Sequence, residues 1–132
     1  MNIQETSRKY SVSANTLRYW ERVGAIPRVN RNQNGYRDYD SEDEEWVSFA
    51  KCMRDSGITI ERLVEYIDLF RQGDSTIPSR KALLQEQLDE INKKIDEMAE
   101  IQRTLKSKVE NYEDQMLSYE GKLKGQDSVT NK

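Results

Sequence analysis

The stretch Ser13-Ala14-Asn15-Thr16-Leu17-Arg18-Tyr19-Trp20-Glu21-Arg22-Val23-Gly24 opens on a hydroxyl that can cap a helix and closes on a glycine that can stop one. Leu17 and Trp20, three apart, share an inward face, while Asn15, Arg18, Tyr19 and Arg22 fall together on another. That second face is polar, basic and aromatic, as reading a groove requires. Upstream, Ile3 to about Lys9 reads as a short helix, and only Tyr10, Ser11 and Val12 separate it from the Ser13 cap. Two short helices joined by a tight turn make a helix-turn-helix, whose second helix can enter a major groove.

Downstream, Gly24 and Pro27 prevent the helix from resuming, and Asn34-Gly35 is the strongest short hairpin signal. Val29 to Gln33 and Tyr36 to Tyr39 are therefore expected as two short strands of a wing. Arg28, Arg31 and Arg37 with Tyr36 and Tyr39 make it basic and aromatic, suited to phosphate and sugar contact. A solvated loop is the other reading, because strand alternation is poor. Ser41 and the acidic run Glu42 to Glu45 mark the next helix start. Trp46, Phe49, Ala50 and Met53 form its expected buried face, and Gly57 closes it. Thr59 caps a further helix from Ile60 to about Gln72 with Leu63, Ile67 and Phe70 inward, and Gly73 to Pro78 reads as a break.

From Ser79 on the period changes. Leu84, Leu88, Ile91, Ile95, Met98, Gln102, Leu105, Val109, Tyr112, Met116 and Tyr119 alternate spacings of four and three. Such a pattern is a coiled-coil seam, here on a helix expected over 79–120, a rod of roughly 63 Å that needs a second chain to bury it. Gln102 either fixes register or is a tolerated surface glutamine, and the flanking positions leave parallel and antiparallel pairing open. The polar segment 121–132 is expected to be disordered.

Composition agrees with this division. Of 132 residues, 34% are charged and 35% hydrophobic, against about 45–50% apolar for an ordinary globular domain. The formal net charge of −3 hides a head, residues 1–40, of +3, followed by −5 over 41–78 and −1 over the remainder. A polyanion responds to that local field, within about 8–10 Å. No apolar run exceeds the three residues Ala82-Leu83-Leu84, so no membrane segment is expected, and with no export signal a cytoplasmic location follows. One cysteine, Cys52, and no histidine argue against a metal site and against most hydrolytic triads. No cofactor and no enzymatic activity are expected. A coiled-coil adaptor whose winged head grips a protein is the rival to a DNA binder.

Ser13 to Pro27 followed by Asn34-Gly35-Tyr36-Arg37-Asp38-Tyr39 resembles the N-terminal signature of the MerR family of bacterial transcription regulators. Trp20 stands where that family usually has tyrosine, and Ser11 where its turn usually has glycine. The resemblance implies a mainly α fold: a winged helix-turn-helix DNA-binding head over 1–75, then the long dimerising coiled-coil helix. It further implies a homodimer joined by an antiparallel coiled coil, bound to promoter DNA and acting on RNA polymerase there. Thr16, Arg18, Tyr19, Tyr36 and Arg37 would be DNA contacts, added to Asn15, Arg22 and Arg31 from the basic faces. For Arg18 the alternative is an ion pair with Glu21 or with the acidic start of the third helix. The position of Cys52 resembles that of the single cysteine in the family's aldehyde- and electrophile-responsive branch, with Lys51 and Arg54 placed to favour its thiolate. A merely structural, buried Cys52, with a non-covalent effector, is the alternative.

Overall fold

The structure, a computed structural model, describes residues 1–117 and 119–121. It divides into one unit from Met1 to Asp89 and a second from Glu90 onward. Helices α1 (Ile3–Tyr10), α2 (Ala14–Val23), α3 (Ser41–Asp55) and α4 (Ile60–Arg71), a 3-10 turn at Asp74–Thr76, and a long helix α5 (Ile77–Glu110) follow in order. No regular strand occurs among the described residues.

Local chemistry sets each boundary. Asn2 and Glu5 form a reciprocal cap on α1, Ser13 Oγ accepts from Thr16 N at the start of α2 (3.1 Å), and Thr59 caps α4. On α3 the cap is Asp40, one residue before the expected Ser41, because its carboxylate and that of Asp43 satisfy each other's backbone N–H groups. Gly24 ends α2 at φ 85°, a conformation open to glycine without Cβ strain.

Ser11 adopts φ 55° and ψ 44°, the left-handed conformation, between α1 and α2. Its side chain is exposed, so the strain of about 1 kcal/mol relative to glycine is not repaid by packing. Ser11→Gly is expected to stabilise the head by about 1 kcal/mol and raise its Tm by about 4–8 °C. Thermal denaturation followed by circular dichroism checks this; an unchanged or lower Tm would show that Ser11 is not strained in solution.

Leu17 and Trp20 are buried as expected, with Ile3, Val12, Ala25, Ile26, Val29, Val47, Ala50 and Leu63 in the same core. Full burial of such a side chain is worth about 1.5–3 kcal/mol. Three expected faces differ in detail. On α3 the centre is Val47 and Ala50, while Trp46, Phe49 and Met53 are only partly covered. Phe70 is 39% exposed; its ring packs at the margin, 4.8 Å from Trp46 and beneath the Arg80 guanidinium. Tyr39, read as a wing aromatic, is 1% exposed and belongs to the core. Burial pushes its phenol above the ordinary tyrosine range.

The segment after α4 is more ordered than a break. Thr76 donates its hydroxyl to the Leu69 carbonyl (2.5 Å) and accepts from Arg80 Nε (3.1 Å). Pro78 lies inside the first turn of α5, where its missing N–H costs nothing. The head also extends past residue 75. Gln87 is 3% exposed, and its Nε2 donates to the Ser56 carbonyl at the end of α3 (2.8 Å). Nearby, Arg62 meets Glu86 at 3.6 Å. Leu84 is half-buried in this same unit.

In the second unit α5 ends at Glu110 and a π-type turn spans Glu113–Leu117, so the helix expected to run unbroken to 120 is interrupted. Asn111 closes back on the Ser107 carbonyl through both its backbone and its side chain. The Met116 side chain and the tail from 122 on lie outside the described residues.

Candidate nucleic-acid interface

Helix α2 presents Asn15, Arg18, Tyr19 and Arg22 to solvent, all exposed. Neighbouring groups hold these side chains in place. Arg18 Nη1 donates to Asn15 Oδ1 (2.9 Å), and the Arg22 guanidinium lies 5.4 Å from the Tyr19 ring centre. Among the described residues Arg18 makes neither pairing expected as its alternative, and its side chain stays exposed. Thr16 is half-buried and its hydroxyl accepts from Ser13 Oγ (2.8 Å), so Thr16 also closes the helix cap.

The wing is a hairpin without strands. Asn32 N donates to the Tyr36 carbonyl (2.8 Å), Asp38 N to the Asn30 carbonyl (2.8 Å), and a single antiparallel bridge joins Arg31 to Arg37. Side-chain bonds take over from a ladder. Asn32 Oδ1 accepts from the backbone of Asn34 (2.9 Å) and of Tyr36 (3.1 Å), and Arg31 Nη1 donates to the Gly35 carbonyl (2.7 Å). Gly35 sits at φ 83°, as the Asn-Gly turn demands. Tyr36 is 69% exposed at the tip. Arg37 is different: its Nε donates to Glu21 Oε1 at 2.6 Å with both side chains largely covered. It ties the wing to α2, and Glu21 Oε2 also accepts from Val29 N (3.4 Å).

Between α2, the wing and the start of α1 lies a cleft of about 440 Å³, bordered by Arg18, Arg31, Tyr36 and Arg37 with Asn2, Gln4 and Asn32. The structure therefore brings Arg18 and the wing residues Arg31, Tyr36 and Arg37 around one concavity. Asn32 was legible in principle, since an Asn two residues before Asn34 forms an Asx turn; nothing in the sequence pointed to Gln4.

None of the acidic residues at the start of α3 borders this cleft. Glu44 Oε1 binds Lys9 Nζ (2.7 Å) and the Tyr10 hydroxyl (3.0 Å). Those bonds hold the Glu44 carboxyl below its ordinary range and the Lys9 ammonium above its own. Burial raises the Asp43 carboxyl. Of the acidic run, Glu44 is thus paired with a cation of α1 at the surface of the head.

Cys52 lies on α3 and is exposed in the chain. The two cations expected to favour its thiolate are engaged elsewhere. Lys51 Nζ pairs with Asp55 (3.3 Å), and the Arg54 guanidinium donates to the Ile58 carbonyl. Among the described residues no group of acidic or cysteine side chains could hold a metal ion.

In the second unit, Ile95, Met98, Leu105 and Val109 are each 58–68% exposed. Ile101, absent from the expected seam, is 58% exposed and borders the same apolar concavity of about 560 Å³ as Ile95, Met98, Gln102 and Leu105. A strict alternation of four and three passes over Ile101 because it flanks Gln102. No helix among the described residues is long and apolar enough to cross a membrane.

A basic recognition helix, a wing fastened to it and an apolar helical stripe define a winged helix-turn-helix DNA-binding protein. Residues 1–69 match the family model described as MerR HTH family regulatory protein, and residues 44–108 match that described as MerR, DNA binding. The chain belongs to the MerR family of transcription regulators, and its relatives are regulators rather than enzymes. It is 51% identical over 84 residues to the HTH-type transcriptional regulator AdhR of Bacillus subtilis, a match spanning 64% of this chain and 60% of that protein. A MerR family transcriptional regulator from Listeria monocytogenes superimposes with a TM-score of 0.81 at 39% identity, covering 98% of both chains. HiNmlR, a MerR family regulator lacking the sensor domain and crystallised on promoter DNA, superimposes with a TM-score of 0.76 at 26% identity over 85% of this chain and 89% of that one.

Proposed function

We propose that the protein acts as a homodimer on promoter DNA, as a regulator that responds to aldehydes or other thiol-reactive electrophiles through Cys52. Asn15, Arg18, Tyr19 and Arg22 of α2 enter the major groove, with Thr16 at their cap. Arg31 and Tyr36 reach the flanking backbone, and Arg37 holds the wing at its angle to α2. The dimer forms along the stripe from Leu88 to Tyr112, as an antiparallel coiled coil, and its output is on RNA polymerase at the same promoter. The observation that carries the reading is the cleft around Arg18, where cations from α2 and the wing meet without the acidic start of α3.

For the response, the Cys52 thiol is accessible and has the right chemistry. Its sulfur adds to an aldehyde carbonyl, the C–S bond forms as the C=O π bond opens, and the thiol proton ends on the new hydroxyl oxygen. The experiment is a promoter assay with and without an added aldehyde. Cys52→Ala is expected to keep duplex binding and lose the aldehyde-dependent change in transcript. A full response from Cys52→Ala would refute the sensor role and leave the DNA-binding reading standing.

A further inference from the structure

On α5, where every other residue keeps part of its surface open, Gln87 is buried, 3% exposed. Burying a side-chain amide is costly unless its groups are bonded, and here only one of the two is. Its Nε2 donates to the Ser56 carbonyl (2.8 Å). Its Oε1, equally shut off from solvent, has no hydrogen-bond partner among the described residues.

The acceptor accounts for the bonded half. Helix α3 closes in a left-handed turn at Gly57, φ 93°. There Ile58 N donates to the Met53 carbonyl (3.2 Å) and Gly57 N to the Arg54 carbonyl (3.0 Å), a Schellman closure. That closure provides no donor for the Ser56 carbonyl, which stands at the negative end of the helix dipole. Gln87 supplies one from another helix. Cys52 belongs to the same last turn of α3, and its carbonyl accepts from Ser56 N (3.0 Å). Elsewhere α5 is joined to α4, by Arg80 over the Phe70 ring and loosely by Glu86 with Arg62 (3.6 Å). Gln87 is the polar bond to α3, the helix that carries the thiol, and α5 runs on from it past Asp89 into the second unit.

We propose that Gln87 is the positioning residue through which reaction at Cys52 reaches the dimerising helix. An adduct on the last turn of α3 displaces the Ser56 carbonyl, the Gln87 bond breaks, and this part of α5 is released from α3. The inference rests on the Cys52 sensor reading above. A half-satisfied amide suits the part, because a released Gln87 regains water for both halves of its amide while the docked one satisfies a single half, so the net hold is small.

The test uses the full chain, the promoter assay and propenal as the electrophile. The Cys52 sulfur adds to the terminal carbon of the C=C bond, the π bond opens and the thiol proton ends on the adjacent carbon, an adduct that intact mass scores. Gln87→Met keeps an unbranched side chain of similar size and removes the donor. The variant is expected to be modified to the wild-type extent. Its untreated transcript should already lie near the treated wild-type level, so that the ratio of treated to untreated transcript moves toward one by roughly 2- to 10-fold, the range one net hydrogen bond commands. A merely structural Gln87 would lower Tm and leave that ratio at the wild-type value, and an unchanged ratio at equal modification overturns the proposal. Amide exchange on the wild type needs no variant: modification should speed exchange over residues 54–58 and 83–90, and unchanged exchange over both overturns the proposal as well. A full response from Cys52→Ala would instead refute the sensor reading itself, and the coupling with it.

Discussion

Leu105→Glu is expected to convert the protein to a monomer and to lower its affinity for a two-fold promoter site by two to four orders of magnitude. Leu105 is 60% exposed in the described chain and borders the apolar concavity with Ile95, Met98 and Ile101. Burying a leucine is worth about 1.5–3 kcal/mol, and a two-fold dimer loses that contribution twice. Replacing it by a carboxylate adds the cost of taking a charge out of water inside an apolar seam. DNA binding suffers indirectly. Two heads on one dimer bind as linked modules, and the link multiplies affinity about 10²- to 10⁴-fold over a single head. Sedimentation measures the assembly, and titration of whole-site and half-site duplexes separates the two effects. A monomer with unchanged half-site affinity and much weaker whole-site affinity is the expected result. A Leu105→Glu protein that still sediments as a dimer would remove the stripe from the interface.

The parts of this molecule governed by short-range rules were legible in the sequence. Ser13 and Gly24 bracket α2 because capping and left-handed backbone are properties of single residues, and Leu17 and Trp20 turn inward because three residues make most of a helical turn. The wing was legible only through Asn34-Gly35. Its body is held by Asn32, Arg31 and the ion pair of Arg37 with Glu21, and that last pair joins residues sixteen apart, which no local pattern encodes. Tyr39 illustrates the same limit. From its place after the Asn34-Gly35 turn it belonged to the basic wing, yet it lies in the core with residues of α1, α2 and α3. Gln87 is the converse, a polar residue on a surface helix that lies buried because α5 docks on the Ser56 carbonyl. At the candidate site, which residues are cationic was plain from composition, but which cations are free was not. Arg18 stays outward while Arg37, Lys51 and Arg54 are engaged, and only the folded arrangement distinguishes them.

That distinction makes Arg18→Ala the other large effect. Arg18 is held by Asn15 on the outward face of α2, with no carboxylate partner among the described residues to give up, so on the proposed reading its guanidinium would meet a base edge already oriented. A bidentate arginine contact to a guanine is worth about 1–3 kcal/mol against the wrong base, and a dimer makes it at both half-sites. Arg18→Ala should therefore cost about 2–6 kcal/mol, roughly 30-fold to more than 10⁴-fold in affinity for the selected duplex. The mode of weakening matters as much as its size. A base-reading arginine, once removed, relaxes the sequence preference at one position of each half-site and leaves non-specific binding nearly intact. Removing a phosphate-binding arginine weakens every duplex alike and flattens the salt slope by about 0.9 per phosphate no longer neutralised. Competition between the selected duplex and variants substituted one base pair at a time reads out the difference. If Arg18→Ala weakens all of them equally, Arg18 is a backbone anchor, and base reading passes to Asn15 and Tyr19. If one position alone loses its preference, Arg18 reads a base there and α2 is the reading element.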